Sequence, residues 1–379
     1  MDLDEIVAAA LSAVDPVRLI RRAIRDSSFP ASGRVSLIAA GKAAGRMAAA
    51  FAAEADARVV RGIIVGGAAP PAWSGRVSVH EGAHPVPDER SVRAGEDALA
   101  LAAAPDADSL VVLLSGGASA MLAVPAPGVT LAAKQKTTAR LLAAGADIHA
   151  INAVRKHLSA IKGGRLAAAA AVPTLTLAIS DVIGDDPAVI GSGPTAPDPT
   201  TYADALNVLD RSGGREAYPR EVQRHLERGA RGEVDETPKP GDPRLRHSVV
   251  RVIGRAADAI EGARAAAEKR GYVVVVRTQP VSGEARHTAA AHVEELAALA
   301  ARDQRALCVL SAGETTVRVV GAGHGGRNQE YALAAALTLA SVGRPAVVAS
   351  IGTDGVDGPT DAAGAVADTS TSARARRIG

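Results

Sequence analysis

Three carboxylates follow one apolar segment of the chain, and their position suggests metal chemistry. Residues 174–179 (T-L-T-L-A-I) are apolar and β-branched, which predicts a buried strand of a parallel sheet. Asp181, Asp185 and Asp186 come directly after it, where ligands bind open α/β sheets. Clustered carboxylates repel one another unless a cation offsets them, and Mg²⁺ is often held by one or two carboxylates plus substrate phosphates. The run therefore predicts a magnesium site. A cluster of Asx turns and helix caps is the alternative.

Two glycine-containing turns at the ends of other predicted strands could bind an anion. The strand 35–40 ends in G-K-A-A-G (41–45), which opens a helix, so backbone N–H groups and the Lys42 ammonium would face an anion. The strand 109–114 ends in S-G-G-A-S-A (115–120), whose small residues let a ligand approach the backbone and predict a phosphate cradle. Ordinary tight turns are the alternative at both places. The P-loop pattern and the G-x-S-x-G nucleophile elbow are absent from the sequence.

Cations gather in one predicted helix, which begins near residue 151 (I-N-A-V-R-K-H-L-S). Its spacing places Asn152, Arg155, Lys156 and Ser159 near one face, and the run continues into Lys162 and Arg165. Several cations there would suit an anionic substrate, with a solvated helix face as the alternative. Arginine supplies most of the positive charge of the chain. An ammonium and a guanidinium are not interchangeable, so each retained lysine is of interest. Lysine stands only at 42, 134, 136, 156, 162, 239 and 269.

A third glycine turn, at residues 321–326, formally matches the dinucleotide pattern G-x-G-x-x-G. The match is poor, because Ser341 and Val342 stand where a ribose-binding acid is expected. The turn precedes a predicted helix and presents Arg327 and Asn328 at its N-terminus, which better suits a phosphate or carboxylate.

The composition limits the class of protein. A chain of 379 residues with 47% hydrophobic and 22% charged residues predicts two globular domains. A net charge of +2 and 2% aromatic residues disfavour nucleic-acid binding. Cys308 is the only cysteine, the N-terminus is acidic, and no apolar run approaches the ~20 residues that span a bilayer. We therefore expect a soluble, cytoplasmic protein without a membrane partner.

The order of the predicted elements also indicates two layered α/β domains. Residues 3–25 predict one amphipathic helix, and residues 211–247, which are rich in Gly, Pro, Arg and Glu, predict the linker between the domains. Strands that alternate with helices are predicted at 35–40, 61–67, 109–114, 174–179, 248–253, 272–278, 307–311 and 346–351.

Several long motifs resemble those of a known family in both order and spacing. They are G-K-A-A-G, G-A-H-P-V-P-D, L-S-G-G-A-S-A, N-A-V-R-K-H-L-S-A-I-K-G-G-R-L-A, S-D-V-I-G-D-D-P, G-S-G-P-T, G-G-R-N-Q-E and G-T-D-G-V-D-G-P-T-D-A-A-G. Over about residues 5–368 the chain is similar to the type II glycerate kinases, or glycerate 2-kinases, which carry a C-terminal MOFRL domain. Some members of that family carry a hydroxypyruvate reductase label.

The resemblance implies two three-layer α/β/α domains with the active site between them. Residues 1–235 would form a Rossmann-like domain with a mostly parallel sheet, and residues 245–379 a smaller MOFRL domain with a mixed sheet. It further implies ATP- and Mg²⁺-dependent phosphorylation of D-glycerate. We expect 2-phosphoglycerate as the product and a monomer or homodimer as the active species.

The resemblance also implies roles for individual residues. We expect Lys42 and Arg327 to act in catalysis, with one Asp near the cleft, Asp181, accepting the hydroxyl proton. The remaining expected sites are nucleotide binding by Gly116, Gly117, Ser119 and Gly193; substrate binding by Lys42, Asn152, Arg155 and Arg327; and metal binding by Asp181, Asp186 and Asp354.

Two other functions stay open at the level of sequence. The weak match at residues 321–326 and the family's older label would fit an NAD(P)H-dependent hydroxypyruvate reductase. The chain also ends at A-R-A-R-R-I-G, without the T-G-P-T-G-T-N-V-N-D segment that is usual in the family. That difference would fit an inactive, truncated homologue that binds nucleotide or a small acid without turnover.

Overall fold

The computed structural model describes residues 2–26, 33–55, 57–104 and 106–378, which divide into two compact units, Pro16–Arg255 and Met1–Asp15 with Ala256–Gly379. The helices are α1 Asp2–Ala13, α2 Pro16–Arg25, α3 Ala44–Glu54, α4 Glu89–Ala103, α5 Ala118–Met121, α6 Leu131–Ala143, α7 Ile148–His157, α8 Arg165–Ala169, α9 Tyr202–Arg211, α10 Arg220–Ala230, α11 Ala256–Lys269, α12 Ala285–Arg302, α13 Arg327–Thr338 and α14 Thr371–Ile378. The strands are β1 Gly33–Ala40, β2 Ala57–Val65, β3 Val77–His80, β4 Ser109–Leu114, β5 Thr174–Ile179, β6 Ser248–Gly254, β7 Val273–Val276, β8 Val281–Glu284, β9 Leu307–Leu310, β10 Gly313–Thr316, β11 Val347–Ile351 and β12 Gly364–Asp368.

The unit Pro16–Arg255 is built on a six-stranded sheet with the order β3-β2-β1-β4-β5-β6, and its strand pairs are all parallel. The chain adds β2 and β3 on one side of β1 and then returns to add β4 on the other side. The order therefore reverses between β1 and β4, where Ala40 lies opposite Leu114. Such a reversal opens a crevice at the carboxyl ends of the two strands, which is the usual ligand site of this fold.

Helices cover both faces of this sheet, so the predicted three-layer arrangement is confirmed for this unit. Alternate residues of a strand point to opposite faces: Leu37 packs with α2 and α3, whereas Ile38 packs with α4 and α8. The central strand β4 is buried along its whole length. Continuous burial of this kind is typical of parallel strands covered on both sides.

The prediction that residues 211–247 form a linker is wrong, because most of these residues are folded. Helix α10 lies inside it and buries Val222 and Leu226, which are four residues apart and so share one helix face. With α6, α7 and α9 these residues form a separate apolar cluster that also contains the buried Tyr202. The next strand, β6, then joins the sheet of the first unit beside β5.

The second unit contains three two-stranded sheets. The pairs β7–β9 and β8–β10 are parallel, and β11–β12 is antiparallel. Both pairing senses are therefore present, although in separate pairs rather than in one mixed sheet. The strand at Gly313–Thr316 was not predicted from the sequence, and Val319 and Val320, which follow it, are exposed without a pairing partner in the described sheets.

The predicted helix over residues 3–25 is two helices that belong to different units. Pro16 begins α2, and proline is tolerated at the first position of a helix but not in its interior. Helix α1 packs on α11 so closely that a Cβ at Gly262 would lie 2.7 Å from the carbonyl oxygen of Ala9. The structural division therefore differs from the expected 1–235 and 245–379 at both the N-terminus and β6. Within the described part of the chain, no helix has the length and apolarity needed to cross a membrane.

Candidate functional site

Lys42 stands at the turn after β1, where the sheet order reverses. Its backbone N–H donates to the carbonyl of Gly116 at 2.9 Å, and the N–H of Ala43 donates to Oγ of Ser115 at 3.0 Å. Gly41 has a φ of +118°, and a Cβ there would lie 2.4 Å from Oγ of Ser115, so this approach requires glycine. These bonds hold the two predicted anion turns side by side, with the Lys42 side chain exposed.

The loop after β4 places two glycines in contact with other candidate residues. A Cβ at Gly116 would lie 2.5 Å from Oδ2 of Asp181, so the absence of a side chain lets this carboxylate approach the loop backbone. Gly117 precedes α5 with a left-handed φ of +88°, and a Cβ there would lie 3.1 Å from Cδ2 of His84. The structure therefore brings Gly116, Asp181 and the Lys42 turn together at the carboxyl ends of β1, β4 and β5.

A chain of hydrogen bonds joins this loop to helix α7. The hydroxyl oxygens of Ser119 and Ser192 are 2.7 Å apart, and Oγ of Ser192 donates to Oδ1 of the buried Asn152 at 2.9 Å. Gly193 follows with a φ of +58°, and a Cβ there would lie 2.9 Å from the carbonyl oxygen of Ala188. Ser119, Asn152 and Gly193 are thus parts of one connected structure.

The three acids after β5 have different contacts in the structure, Asp181 with the Gly116 loop and the other two elsewhere. Asp185 has a φ of +53°, and its Oδ2 is 3.7 Å from Nε of Arg255. Oδ1 of Asp186 accepts the N–H of Ala188 at 2.8 Å, which is an Asx turn. In the described ranges no three His, Cys, Asp or Glu side chains form a set able to hold a metal ion. A single carboxylate, Asp181, beside a small-residue loop fits Mg²⁺ that is shared with phosphate oxygens and water better than an all-protein cage.

Three basic side chains interact electrostatically with one another and form what we term the cation cluster: Lys134, Arg155 and Lys162. Burial, with a contribution from Arg155, lowers the pKa of Lys134 to about 7. Burial, together with Lys134 and Arg155, lowers the pKa of Lys162 well below its ordinary value. Burial also lowers the pKa of Arg155. Lys162 donates to the carbonyl of Ser119 at 2.7 Å, which places the cluster next to the loop.

In the other unit, the glycine turn before α13 already holds a carboxylate from the same chain. Asp357 is 1% exposed, and its Oδ1 and Oδ2 accept the backbone N–H groups of Asn328 and Gln329 at 3.1 and 2.8 Å. The prediction that the N-terminus of this helix binds an external phosphate or carboxylate is therefore wrong for these amides. The Arg327 side chain is exposed and forms an ion pair with Glu314.

Asp354 lies in the loop after β11. It is exposed, and its Oδ1 accepts the N–H of Val356 at 3.4 Å. Ser350, in β11 itself, donates to Oδ1 of Asn328 at 2.8 Å, so the end of this strand and the start of α13 are joined by side chains. Asp354 thus shares its region with Asn328 and Asp357, in the unit that does not contain Asp181.

The sequence patterns did not indicate Asp357 or Lys134 as functional residues, and they marked Lys162 only as one of several cations that would suit an anionic substrate. Asp357 was visible only as one acid in a glycine-rich run, and its partner helix begins 30 residues earlier. The rarity of lysine was a signal for Lys134 and Lys162, but it could not distinguish these buried side chains from the exposed Lys136.

Comparisons with known proteins agree with the resemblance of the motifs. A family model described as a domain of unknown function (DUF4147) matches residues 2–227, and the MOFRL family matches residues 307–379. The chain is 38% identical to the glycerate 2-kinase of Pyrococcus horikoshii over 100% of this chain and 89% of that protein. It is 40% identical to an Agrobacterium vitis protein provisionally named hydroxypyruvate reductase, over 100% of this chain and 84% of that protein. The crystal structure of a Thermotoga maritima glycerate kinase has 35% identity and a TM-score of 0.82, covering 99% of this chain and 88% of that one.

Proposed function

The chain belongs to the type II glycerate kinase family, and we propose that it transfers the terminal phosphoryl group of ATP to the 2-hydroxyl of D-glycerate in the presence of Mg²⁺. The observation that carries this proposal is the hydrogen bond from the N–H of Lys42 to the carbonyl of Gly116. It ties the backbone of Lys42, whose side chain is exposed, to a small-residue loop at the point where the order of the strands reverses.

Phosphoryl transfer requires positioning and charge neutralisation more than covalent chemistry. In our proposal, backbone groups of Gly116 and Gly117, with Ser119 and Gly193 nearby, hold the phosphates of ATP. The Lys42 ammonium, which lies exposed beside that loop, neutralises charge on the transferred group. Each of these interactions would be strongest when the phosphoryl charge is being redistributed, which is the condition for an effect on turnover.

Four further residues complete the proposed site. Asn152 and Arg155 would bind the glycerate, because Asn152 of α7 is joined to the loop through Ser192 and Ser119. Asp181 would accept the hydroxyl proton. Arg327 is proposed as a second catalytic and substrate-binding cation, and this role requires it to leave its exposed partner Glu314. Exposed ion pairs contribute only about 0–1 kcal/mol to stability, so breaking the Arg327–Glu314 pair would cost little free energy.

We propose Asp181 and Asp186 as the protein ligands of Mg²⁺, with Asp354 as a further candidate. When bound, the ion would neutralise charge on the phosphate groups of the nucleotide. Asp181 is supported by its approach to the Gly116 loop. The Asx turn of Asp186 uses Oδ1 as its acceptor, so Oδ2 is not part of that turn.

The test is ADP release from ATP and Mg²⁺ with and without D-glycerate. The phosphorus NMR signal of the product identifies the ester, because a 2-phosphate couples to one proton and a 3-phosphate to two. Hydroxypyruvate with NADH is assayed in parallel. The buried Asp357 carboxylate at the start of α13 disfavours the reductase, because a pyrophosphate would need the amides that it occupies. Oxidation of NADH without ADP release would reject the kinase.

A further inference from the structure

The cation cluster has no acidic partner in the described part of the chain. Lys134 and Lys162 are 4% and 2% exposed, and Arg155 is half-buried. The ammonium nitrogen of Lys134 is buried and has no hydrogen-bond partner among the described residues. That of Lys162 donates only to uncharged oxygens, of Ser119 and Leu122. Three basic groups therefore share a region from which both water and carboxylates are largely excluded.

A neighbouring lysine shows how the same fold pairs a buried ammonium with a carboxylate. Lys156 is also 4% exposed, but its Nζ lies 3.2 Å from Oδ1 of the fully buried Asp198. Oδ2 of Asp198 in turn accepts the hydroxyl of Thr237 at 3.0 Å. Lys156 and Lys134 belong to the adjacent helices α7 and α6 and are equally buried, but only Lys156 has a carboxylate partner among the described residues.

Burial of cations without partners is costly. Removing one charge from water without compensation costs several kcal/mol, and most buried polar atoms in folded proteins have a partner. Here the mutual repulsion of three basic groups adds to that cost. An anion with several oxygens would remove both penalties at once, because it could accept from more than one of these donors.

We infer that Lys134, Arg155 and Lys162 form the binding site for a compact oxyanion group. The bond from Lys162 to Ser119 places this site against the loop after β4. The identity of the ligand rests on the proposed function: the oxyanion would be the carboxylate of glycerate or the phosphoryl group that it receives. The existence of the site does not depend on turnover and is tested without ATP.

The experiment is calorimetric titration of the full-length chain with sodium sulfate, with D-glycerate, and with glycerol as the uncharged relative of glycerate. Three variants are compared with the wild type. Lys134→Met removes the ammonium while keeping an unbranched chain, and Arg155→Met tests the second cation. Lys136→Met is the matched control, because Lys136 is in the same helix but exposed. Circular dichroism confirms that each variant is folded.

We expect the wild type and Lys136→Met to bind at least one of the two anions and not glycerol. Lys134→Met and Arg155→Met should bind that anion about tenfold or more weakly, as expected for the loss of a charge-assisted contact in a buried site. Binding of D-glycerate alone assigns the site to the carboxylate, and binding of sulfate alone assigns it to the phosphoryl group.

Equal affinity in wild type and Lys134→Met, or binding of neither anion by the wild type, would overturn the inference. Failure of the proposed function gives a different result: no glycerate-dependent ADP release from a protein whose anion binding still depends on Lys134.

Discussion

The carboxylate of Asp357 caps helix α13 through Asn328. Its Oδ1 accepts both the backbone N–H and the side-chain Nδ2 of Asn328, each at 3.1 Å. A Cβ at Gly326 would lie 2.3 Å from Cγ of Asp357, so glycine at that position leaves the space that the carboxylate fills. An anion at the N-terminus of a helix is favoured both by the unpaired N–H groups and by the helix dipole. The turn before α13 is therefore a structural anion site that the chain fills itself.

Asp357→Ala should loosen the start of α13. The substitution leaves the N–H groups of Asn328 and Gln329 without their acceptor and should cost roughly 2 kcal/mol of local stability. Hydrogen–deuterium exchange in the first turn of α13 measures this directly. Asp361→Ala is the control, since Asp361 is exposed on the same segment. Unchanged exchange in Asp357→Ala would show that the cap contributes nothing.

Lys42→Met should reduce glycerate-dependent ADP release by about 100-fold or more, because an ammonium at the transferring phosphoryl group acts on the transition state. The side chain is exposed, so the fold and its thermal stability should change little. Lys136→Met, also exposed, is the control and should retain wild-type turnover. Turnover of Lys42→Met within a few-fold of the control would remove Lys42 from the catalytic residues.

The two acids proposed to bind Mg²⁺ can be separated by substitution with asparagine. Asp181→Asn should lower the maximal rate of ADP release, because an amide cannot accept the hydroxyl proton. It should also raise the Mg²⁺ concentration required for half-maximal release by about tenfold, since a neutral amide is a weaker ligand for a hard cation. Asp186→Asn keeps the acceptor for the N–H of Ala188, so the Asx turn survives and only the charge is lost. An unchanged Mg²⁺ requirement in Asp186→Asn, with reduced stability in Asp186→Ala, would mean that Asp186 is only a turn residue.

The sequence was sufficient where structure is local. Strands β4 and β5 have the predicted bounds because each is an uninterrupted apolar run that ends at polar residues. Helix α10 was missed because glycine and proline around it dominated the composition, although Val222 and Leu226 carry a helical period. The carboxyl ends of β1, β4 and β5 could be expected to meet, since each ends in small or acidic residues of a kind found at ligand sites.

Long-range pairing could not be predicted in the same way. The capping of α13 by Asp357 joins residues 29 positions apart, and no local pattern specifies that one acid of a glycine-rich run will turn inward. Likewise, α6 contains Lys134 and Lys136 two residues apart, and only the tertiary packing decides which ammonium is buried. Burial of single polar side chains depends on contacts between elements, which a one-dimensional pattern does not contain.

Lys134→Met should stabilise the protein in the absence of anions, and the gain should shrink as the pH rises. The pKa of Lys134 is lowered from 10.5 to about 7 in the folded chain, so between these values the unfolded chain holds a proton that the folded chain lacks. The free energy of unfolding of the wild type therefore rises with pH across this window, by up to about 1.4 kcal/mol per pH unit from this group. Below pH 7 both states are protonated, and the penalty of the buried ammonium is greatest.

Chemical denaturation of wild type and Lys134→Met from about pH 6.5 to about pH 9.5 tests this, with Lys136→Met as the reference for an exposed lysine. A stability difference that is constant over that range would mean that Lys134 does not lose its proton in this window.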